Sequence, residues 1–323
     1  MRAVVALALL VAAFTVPIPI YFLYLPGPLR DVERLVEVGD ERTYSSEGTL
    51  YLTTVSVDVD VTVAELVASA VDPSQDIVLK QDVIGEGGSV EQLERVQRQA
   101  MTASKQHARE VALTALGYGE PHSDGASVRQ TIEDSPADGV LEAGDVIVSV
   151  NDHAVDTTCD VGAAIDRVPV GDELEMVVRR DGELETVTLT TTTSPQDGST
   201  VVGVLLQDVN YRFDPGVEVD FETGRIAGPS AGLMLTLALY DRLTPDDLTG
   251  GRRIAGTGTI DCSGGVGPIG GIAQKVAAAE SNGVEVFLAP AGNADAAEQA
   301  AHDMTIVSVS TFADALEFLE GSA

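Results

Sequence analysis

The sequence predicts an α/β (α+β) protein in two folded parts behind an apolar N-terminal segment. Three observations point there. First, 323 residues at 44% hydrophobic composition suffice for about two domains with buried cores. Second, residues 117–193 read as short alternating strands with turn residues between them and one helical stretch. Third, in residues 194–323 short apolar strands alternate with segments of helical period.

Charge and composition exclude several functions. The chain carries 51 Asp+Glu against 19 Lys+Arg, a formal net charge of −32. That is the opposite of a nucleic-acid footprint and is repelled by anionic lipid headgroups. Two cysteines, Cys159 and Cys262, make neither a disulfide framework nor a Cys-rich zinc site. Both are expected as unpaired thiols, Cys262 in the interior. Four scattered histidines (His107, His122, His153, His302) form no HExxH spacing, so no metal is expected. GxxxxGK[ST] is absent, and no cofactor is expected. Only three of the 19 cations are lysines: Lys80, Lys105 and Lys275. A high-salt or alkaline habitat would favour such an acidic surface; a GC-rich genome would equally favour arginine codons.

The elements follow in chain order. Residues 1–28 read as a transmembrane signal anchor. Ala3 to Leu25 is uncharged, long enough as a helix to cross a hydrocarbon core of ~30 Å. Pro17 and Pro19 would bend it, and Tyr21-Phe22-Leu23-Tyr24 would sit at the interface. Arg2 before the span weakly favours a cytoplasmic N-terminus. The expectation is a single-pass protein of the cell membrane with the bulk of the chain extracytoplasmic. A cleaved signal peptide is the rival, although no clean A-x-A site is present.

Residues 29–116 form a strand and helical region. Residues 49–63 alternate apolar and polar, as strands do. They are expected to complete the sheet of the C-terminal domain, which would make the middle domain an insertion. Residues 64–118 read mainly as helix. Ser89-x-x-Gln begins the long stretch 89–116 as a capping-box candidate, and Gly117 ends it. This stretch is expected to pack or to gate substrate.

In 117–193, strands are expected at 128–132, 173–182 and 185–192, with a helix at 159–168 and a hairpin turn at Asp181-Gly182. The run Ser135-Pro136-Ala137, Gly139-Val140-Leu141, Gly144-Asp145-Val146-Ile147 and Val150-Asn151 resembles a PDZ domain. Asp152 stands where that family usually has Gly. The resemblance implies an extended peptide ligand bound by strand addition. Its carboxylate loop should lie near 119–127, where no clear Gly-Leu-Gly-Phe-like motif is found. The bland reading is a PDZ-like spacer with no ligand.

Residues 194–199 read as a linker. Beyond them, VEVDF (217–221) leads into Gly228-Pro229-Ser230-Ala231-Gly232 and the apolar helix LMLTLALYDRL. Pro229 suits a first helical position. Ser230 thus stands at a helix N-terminus, where free N–H groups could meet an oxyanion. The N–H groups of Ser230 and Ala231 are the oxyanion-hole candidates. A second glycine-rich block holds Gly256-Thr257-Gly258-Thr259-Ile260 and Pro268-Ile269-Gly270-Gly271-Ile272-Ala273-Gln274-Lys275. After it come a helix, the strand 284–290, a helix through 291–301, the strand 304–309 and a helix at 311–320. Alone, Ser230 reads as an ordinary N-cap and Lys275 as an ordinary surface lysine.

Together and in this order, GPSAG, the run from Thr257, PIGGIAQK and the strand ending at Pro290 resemble the proteolytic domain of Lon proteases, over 201–323. The resemblance implies a Ser–Lys dyad with Ser230 as nucleophile, Lys275 as general base and Thr257 in support. It also implies a hexameric ring. The whole arrangement resembles the membrane-anchored PDZ-containing Lon-like serine proteases of bacteria, which lack the ATPase. Many Lon domains carry an acidic residue three before the serine; here it is Ala227. Serine needs a base, no histidine sits in a Ser-His-Asp context, and a lysine can serve only if burial lowers its pKa. The apolar neighbours Ile269, Ile272, Ala273, Val276 and Ala277 suit Lys275 to that. The expected activity is ATP-independent serine endopeptidase cleavage of extracytoplasmic or membrane-associated proteins. The expected partners are polypeptide substrates and a peptide ligand of the PDZ domain. Lys80 and Lys105 are expected to be solvated. Two rivals are a non-catalytic PDZ adaptor and a phosphate-binding protein akin to GHMP kinases.

Overall fold

A computed structural model describes residues 14–85, 87–194 and 199–321. The chain divides into two compact units. One takes the chain up to Ala112 and again from Val217; the other is Leu113–Gly216.

The first unit is built on a five-stranded sheet in the order Arg30–Asp31, Thr49–Leu52, Arg253–Gly256, Val286–Pro290, Thr305–Val309. The last four strands run parallel; Arg30–Asp31 pairs antiparallel at one edge. A parallel sheet needs both faces covered. Accordingly, all five residues of Val286–Pro290 are buried. So is nearly every residue of helix Gly232–Leu243. Helix Ile272–Ser281 lays Ile272, Val276 and Ala279 against Ala255, Phe287 and Ala289. Thr49–Leu52, from the region 49–63, thus lies beside Arg253–Gly256, some 200 residues later in the chain. Val55–Asp58 belongs to another sheet.

That second sheet corrects the reading of the N-terminus. Tyr21–Pro26 is a β-strand between Val55–Asp58 and Asp76–Leu79, antiparallel to both. Phe22 and Leu23 are buried in the protein. The predicted transmembrane helix cannot run to Leu25, because that backbone is already paired in a sheet. Among the described residues no helix is long and apolar enough to cross a membrane. The first part of the predicted span, residues 3–13, lies outside the described residues. The physical ambiguity is plain: an apolar run satisfies a buried strand as well as a helix, and Tyr-Phe-Leu-Tyr has the aromatic content of a strand.

The second unit holds a sheet in the order Glu183–Thr190, Glu173–Arg180, Val146–Val150, Ala126–Thr131, Val204–Asp208. Its core gathers Val128, Ile147, Val161, Leu174, Met176 and Val178. Asp181 and Gly182 both take positive φ, 51° and 90°, as a two-residue hairpin turn demands. Asn151 and Asp152 do the same at 47° and 63° in the turn before His153. Asp152 therefore occupies a left-handed position that suits glycine, which short polar side chains tolerate. Helix Thr158–Asp166 starts in a capping box between Thr157 and Asp160. Val204–Asp208, sequence-distant from the other strands, pairs antiparallel with Ala126–Thr131 and completes this sheet. The segment 119–127, the expected place of a carboxylate loop, leads into the inner strand Ala126–Thr131. Of the predicted linker, residues 195–198 lie outside the described residues.

Arg180 fixes this unit internally. Its guanidinium donates to both oxygens of Asp145, at 2.8 and 2.6 Å, and to the carbonyl of Val140. The Asp145 side chain is 1% exposed, and the Arg180 hydrogen bond holds its carboxyl below the usual range. Neither cysteine is a free thiol, contrary to the sequence expectation, and Cys262 is half-buried rather than buried. A cysteine count bounds the chemistry but does not say which sulfurs find partners in space.

Candidate active site

Ser230 stands at the mouth of the buried helix Gly232–Leu243, inside a one-turn 3-10 segment, Pro229–Ala231. Pro229 opens the turn, where its missing N–H costs nothing. The N–H groups of Ser230 and Ala231 follow, in the first turn, where no carbonyl precedes them as an intrahelical acceptor. Gly228, just before, has φ 92°, a backbone that strains any side chain. A Cβ at Gly232 would come within 2.7 Å of the Ile260 backbone nitrogen, so only glycine lets the helix start this close.

The turn is held from two directions. On one side, the carbonyl of Ser230 accepts from the Gly258 N–H at 3.0 Å and from the Thr257 hydroxyl at 3.1 Å. On the other side stands the long helix Val90–Ala115. Its Gln97 carbonyl accepts the Gly228 N–H at 3.1 Å, and the Ser104 hydroxyl donates to the Pro229 carbonyl at 3.0 Å.

Lys275 lies in the first turn of helix Ile272–Ser281, after Gly271 in a left-handed N-cap conformation. It is 3% exposed. Its Nζ donates to the Thr257 hydroxyl at 2.8 Å. Thr257 is itself fully buried, and its backbone N–H is tied to the Leu288 carbonyl at the end of the central sheet. Burial pushes the Lys275 ammonium down from 10.5 to about 7. The cause is the lost hydration of a cation among apolar side chains. The positive end of its helix acts in the same direction.

One hydroxyl thus joins the predicted residues. Thr257 Oγ1 accepts from Lys275 and donates to the Ser230 carbonyl. Ser230, Ala231 and Lys275 line one cleft of about 970 Å³. Its walls include Phe22, Tyr24, Leu52, Val55, Val57 and Ile269. Among the described residues no cluster of His, Cys, Asp or Glu could hold a metal.

Reasoning from sequence missed the helix side of this site. Gln97 and Ser104 lie about 125 residues before the serine loop, in a helix whose polar residues look like a solvated face. The only local trace in the sequence is that Ser104 falls at helical spacing between the apolar residues Met101 and Ala108, which the fold buries. The other two lysines are not free in solvent either. Lys80 Nζ donates to the Val59 carbonyl at 2.8 Å and stands 5.2 Å from the Phe22 ring centre. Lys105 Nζ donates to the Phe221 carbonyl.

Comparison with known proteins bears on both units. Residues 215–319 match the Lon protease (S16) C-terminal proteolytic domain. Residues 115–191 match the PDZ domain. Together these define a PDZ-containing, Lon-like serine protease architecture. The Lon protease 2 of Bacillus subtilis is 30% identical over 112 residues, 34% of this chain and 18% of that protein. The Lon protease of Phenylobacterium zucineum is 39% identical over 94 residues, 28% of this chain and 12% of that one. The "Probable periplasmic serine endoprotease DegP-like" of Ectopseudomonas mendocina is 36% identical over 85 residues, 26% of this chain and 18% of that protein. The chain thus spans less than a fifth of the length of each. Among solved structures, the PDZ domain of the SdrC-like protein of Listeria monocytogenes covers 26% of this chain and 87% of its own, at 26% identity and a TM-score of 0.25.

Proposed function

We propose that the chain is a serine endopeptidase in which Ser230 attacks the peptide carbonyl and Lys275 is the general base. One observation carries the reading: a buried lysine whose pKa falls to about 7, hydrogen-bonded through Thr257 to the backbone of a serine that shares its cleft. An ordinary lysine is protonated at neutral pH and has no lone pair to offer. Here about half the molecules carry the free amine at pH 7, which is where a general base works best.

The chemistry follows from the arrangement. Thr257 takes one N–H of the amine and so aims its lone pair. The amine accepts the Ser230 proton as Oγ bonds to the substrate carbonyl. The carbonyl oxygen becomes an oxyanion facing the N–H groups of Ser230 and Ala231. The lysine then gives its proton to the leaving amine, and an acyl-enzyme remains. Water, deprotonated by the same lysine, releases the acid product. No step requires ATP. The substrates are polypeptides whose strand can enter the cleft, and the PDZ unit binds a peptide that recruits substrate or regulates the site. A homo-hexameric assembly belongs to the same proposal, by analogy with Lon domains.

The test is cleavage of an unfolded protein at high salt without ATP. The parent chain should cut, and Ser230→Ala and Lys275→Ala should each lose at least about a thousandfold, as removal of a nucleophile or its base does. Equal activity in all three would overturn the reading.

A further inference from the structure

We propose that Ser104 is a positioning residue for the oxyanion donor, acting through the peptide bond between Pro229 and Ser230. The inference rests on the Ser–Lys reading above. It starts from the planarity of that bond. In a trans peptide the carbonyl of one residue and the N–H of the next point in opposite directions in one rigid plane. The peptides of this chain are trans among the described residues. Whatever fixes the Pro229 carbonyl therefore also fixes the direction of the Ser230 N–H.

Two donors fix that carbonyl. One is the Ser104 hydroxyl, at 3.0 Å. The other is the backbone N–H of Gly232, the closing bond of the 3-10 turn. The two lone pairs of the carbonyl are thus both used. The turn's own bond cannot hold the plane alone, since such a bond exists in any 3-10 turn, with poor geometry. Ser104 supplies the second point of attachment from a different element. It is 3% exposed, so its hydroxyl is largely withdrawn from bulk water. The neighbouring peptides are tied likewise: Gly228 N–H to the Gln97 carbonyl, and the Ser230 carbonyl to Thr257 and Gly258. The carbonyl plane is turned toward the long helix, and the Ser230 N–H is turned away from it.

Loss of the hydroxyl should leave binding of the substrate's ground state intact. It should weaken what forms only when the oxyanion forms. Removing one oxyanion donor outright costs about 10²–10³ in kcat. Misaiming one should cost part of that, about 10–100-fold. The experiment uses the full chain and four proteins: parent, Ser104→Ala, Ser104→Cys and Ser230→Ala. It measures kcat and KM on a peptide ester, and the affinity for a peptide aldehyde, whose adduct carries a tetrahedral oxyanion. Thermal unfolding followed by circular dichroism shows that each variant is folded.

The expected result for Ser104→Ala is a 10–100-fold fall in kcat, a matching loss of aldehyde affinity and an unchanged KM. The midpoint of its pH–rate profile should stay near 7, because Lys275 is untouched. Ser104→Cys, with a weak S–H donor of similar size, should recover part of both losses. Parental kcat and aldehyde affinity in Ser104→Ala would overturn the proposal. So would a loss confined to KM, or a displaced pH midpoint. If Ser230→Ala keeps parental activity, the Ser–Lys reading itself fails. That outcome is distinct from a Ser104 failure with Ser230→Ala inactive.

Discussion

Replacing Lys275 by methionine should stabilise the protein while abolishing its activity, and the stabilisation should fade as pH rises. Methionine matches the length of the lysine stem and carries no charge. In the unfolded chain the lysine titrates near 10.5; in the fold, near 7. Between those values the unfolded state holds a proton that the folded state lacks. Stability of the parent therefore rises with pH across that window and is flat below it. At ~1.36 kcal/mol per pH unit, burial of the amine costs ~5 kcal/mol at pH 6, ~3 at pH 8 and ~1 at pH 10. Against this, methionine forfeits the Nζ–Thr257 hydrogen bond, worth ~1 kcal/mol net. The variant should thus exceed the parent by ~4 kcal/mol at pH 6, by ~2 at pH 8 and by nothing at pH 10. Urea unfolding at those three pH values reads the difference. The chain has no tryptophan, so circular dichroism is the natural signal. A stability gap independent of pH, or a variant less stable than the parent at pH 6, would refute the argument.

Other predictions concern single side chains. Thr257→Val removes the hydroxyl that accepts from Lys275 and donates to the Ser230 carbonyl; kcat should fall about 10²-fold, as loss of positioned acid–base catalysis does, and a fall below tenfold would argue against Thr257 aiming the amine. Gly228→Ala puts a Cβ 2.8 Å from Gln97 Oε1 at a φ of 92°; the strain, about 1–3 kcal/mol, should surface as lost activity in a folded protein, and parental turnover would contradict it. Arg180→Ala strands the buried Asp145 carboxylate and should destabilise the PDZ unit by about 3–5 kcal/mol. Because Arg180 holds the Asp145 pKa down, the parent's advantage over this variant should persist above pH 5 and disappear as pH falls through the carboxylate range, which acid-denaturation curves would show.

The site was more legible in the sequence than the frame around it. Ser230 and Lys275 could be paired because two glycine-rich blocks in the right order carry the resemblance to Lon domains, and Thr257 came from that resemblance alone. In a chain with three lysines, one among apolar residues was conspicuous. The strand Tyr21–Pro26 was read as part of a span because a buried strand and a membrane helix share the same composition. The place of Val204–Asp208 beside Ala126–Thr131 was invisible, since pairing across some eighty residues leaves no local periodicity. Ser104 and Gln97 were hidden for a related reason: a hydroxyl in a helix looks the same whether it meets water or a distant carbonyl. The two faces of Thr257 could be read only as a resemblance, because the direction of a hydroxyl is a matter of coordinates.

The most direct test of the central claim is the rate at which Ser230 is acylated by an activated peptide ester, followed by rapid mixing from pH 5.5 to 9, with the adduct located by mass spectrometry. The predicted result is an acyl group on Ser230, forming about ten times faster per pH unit below 7 and levelling off above it, as the Lys275 amine loses its proton. An adduct on another residue would contradict the account, as would a rate that does not change across pH 7.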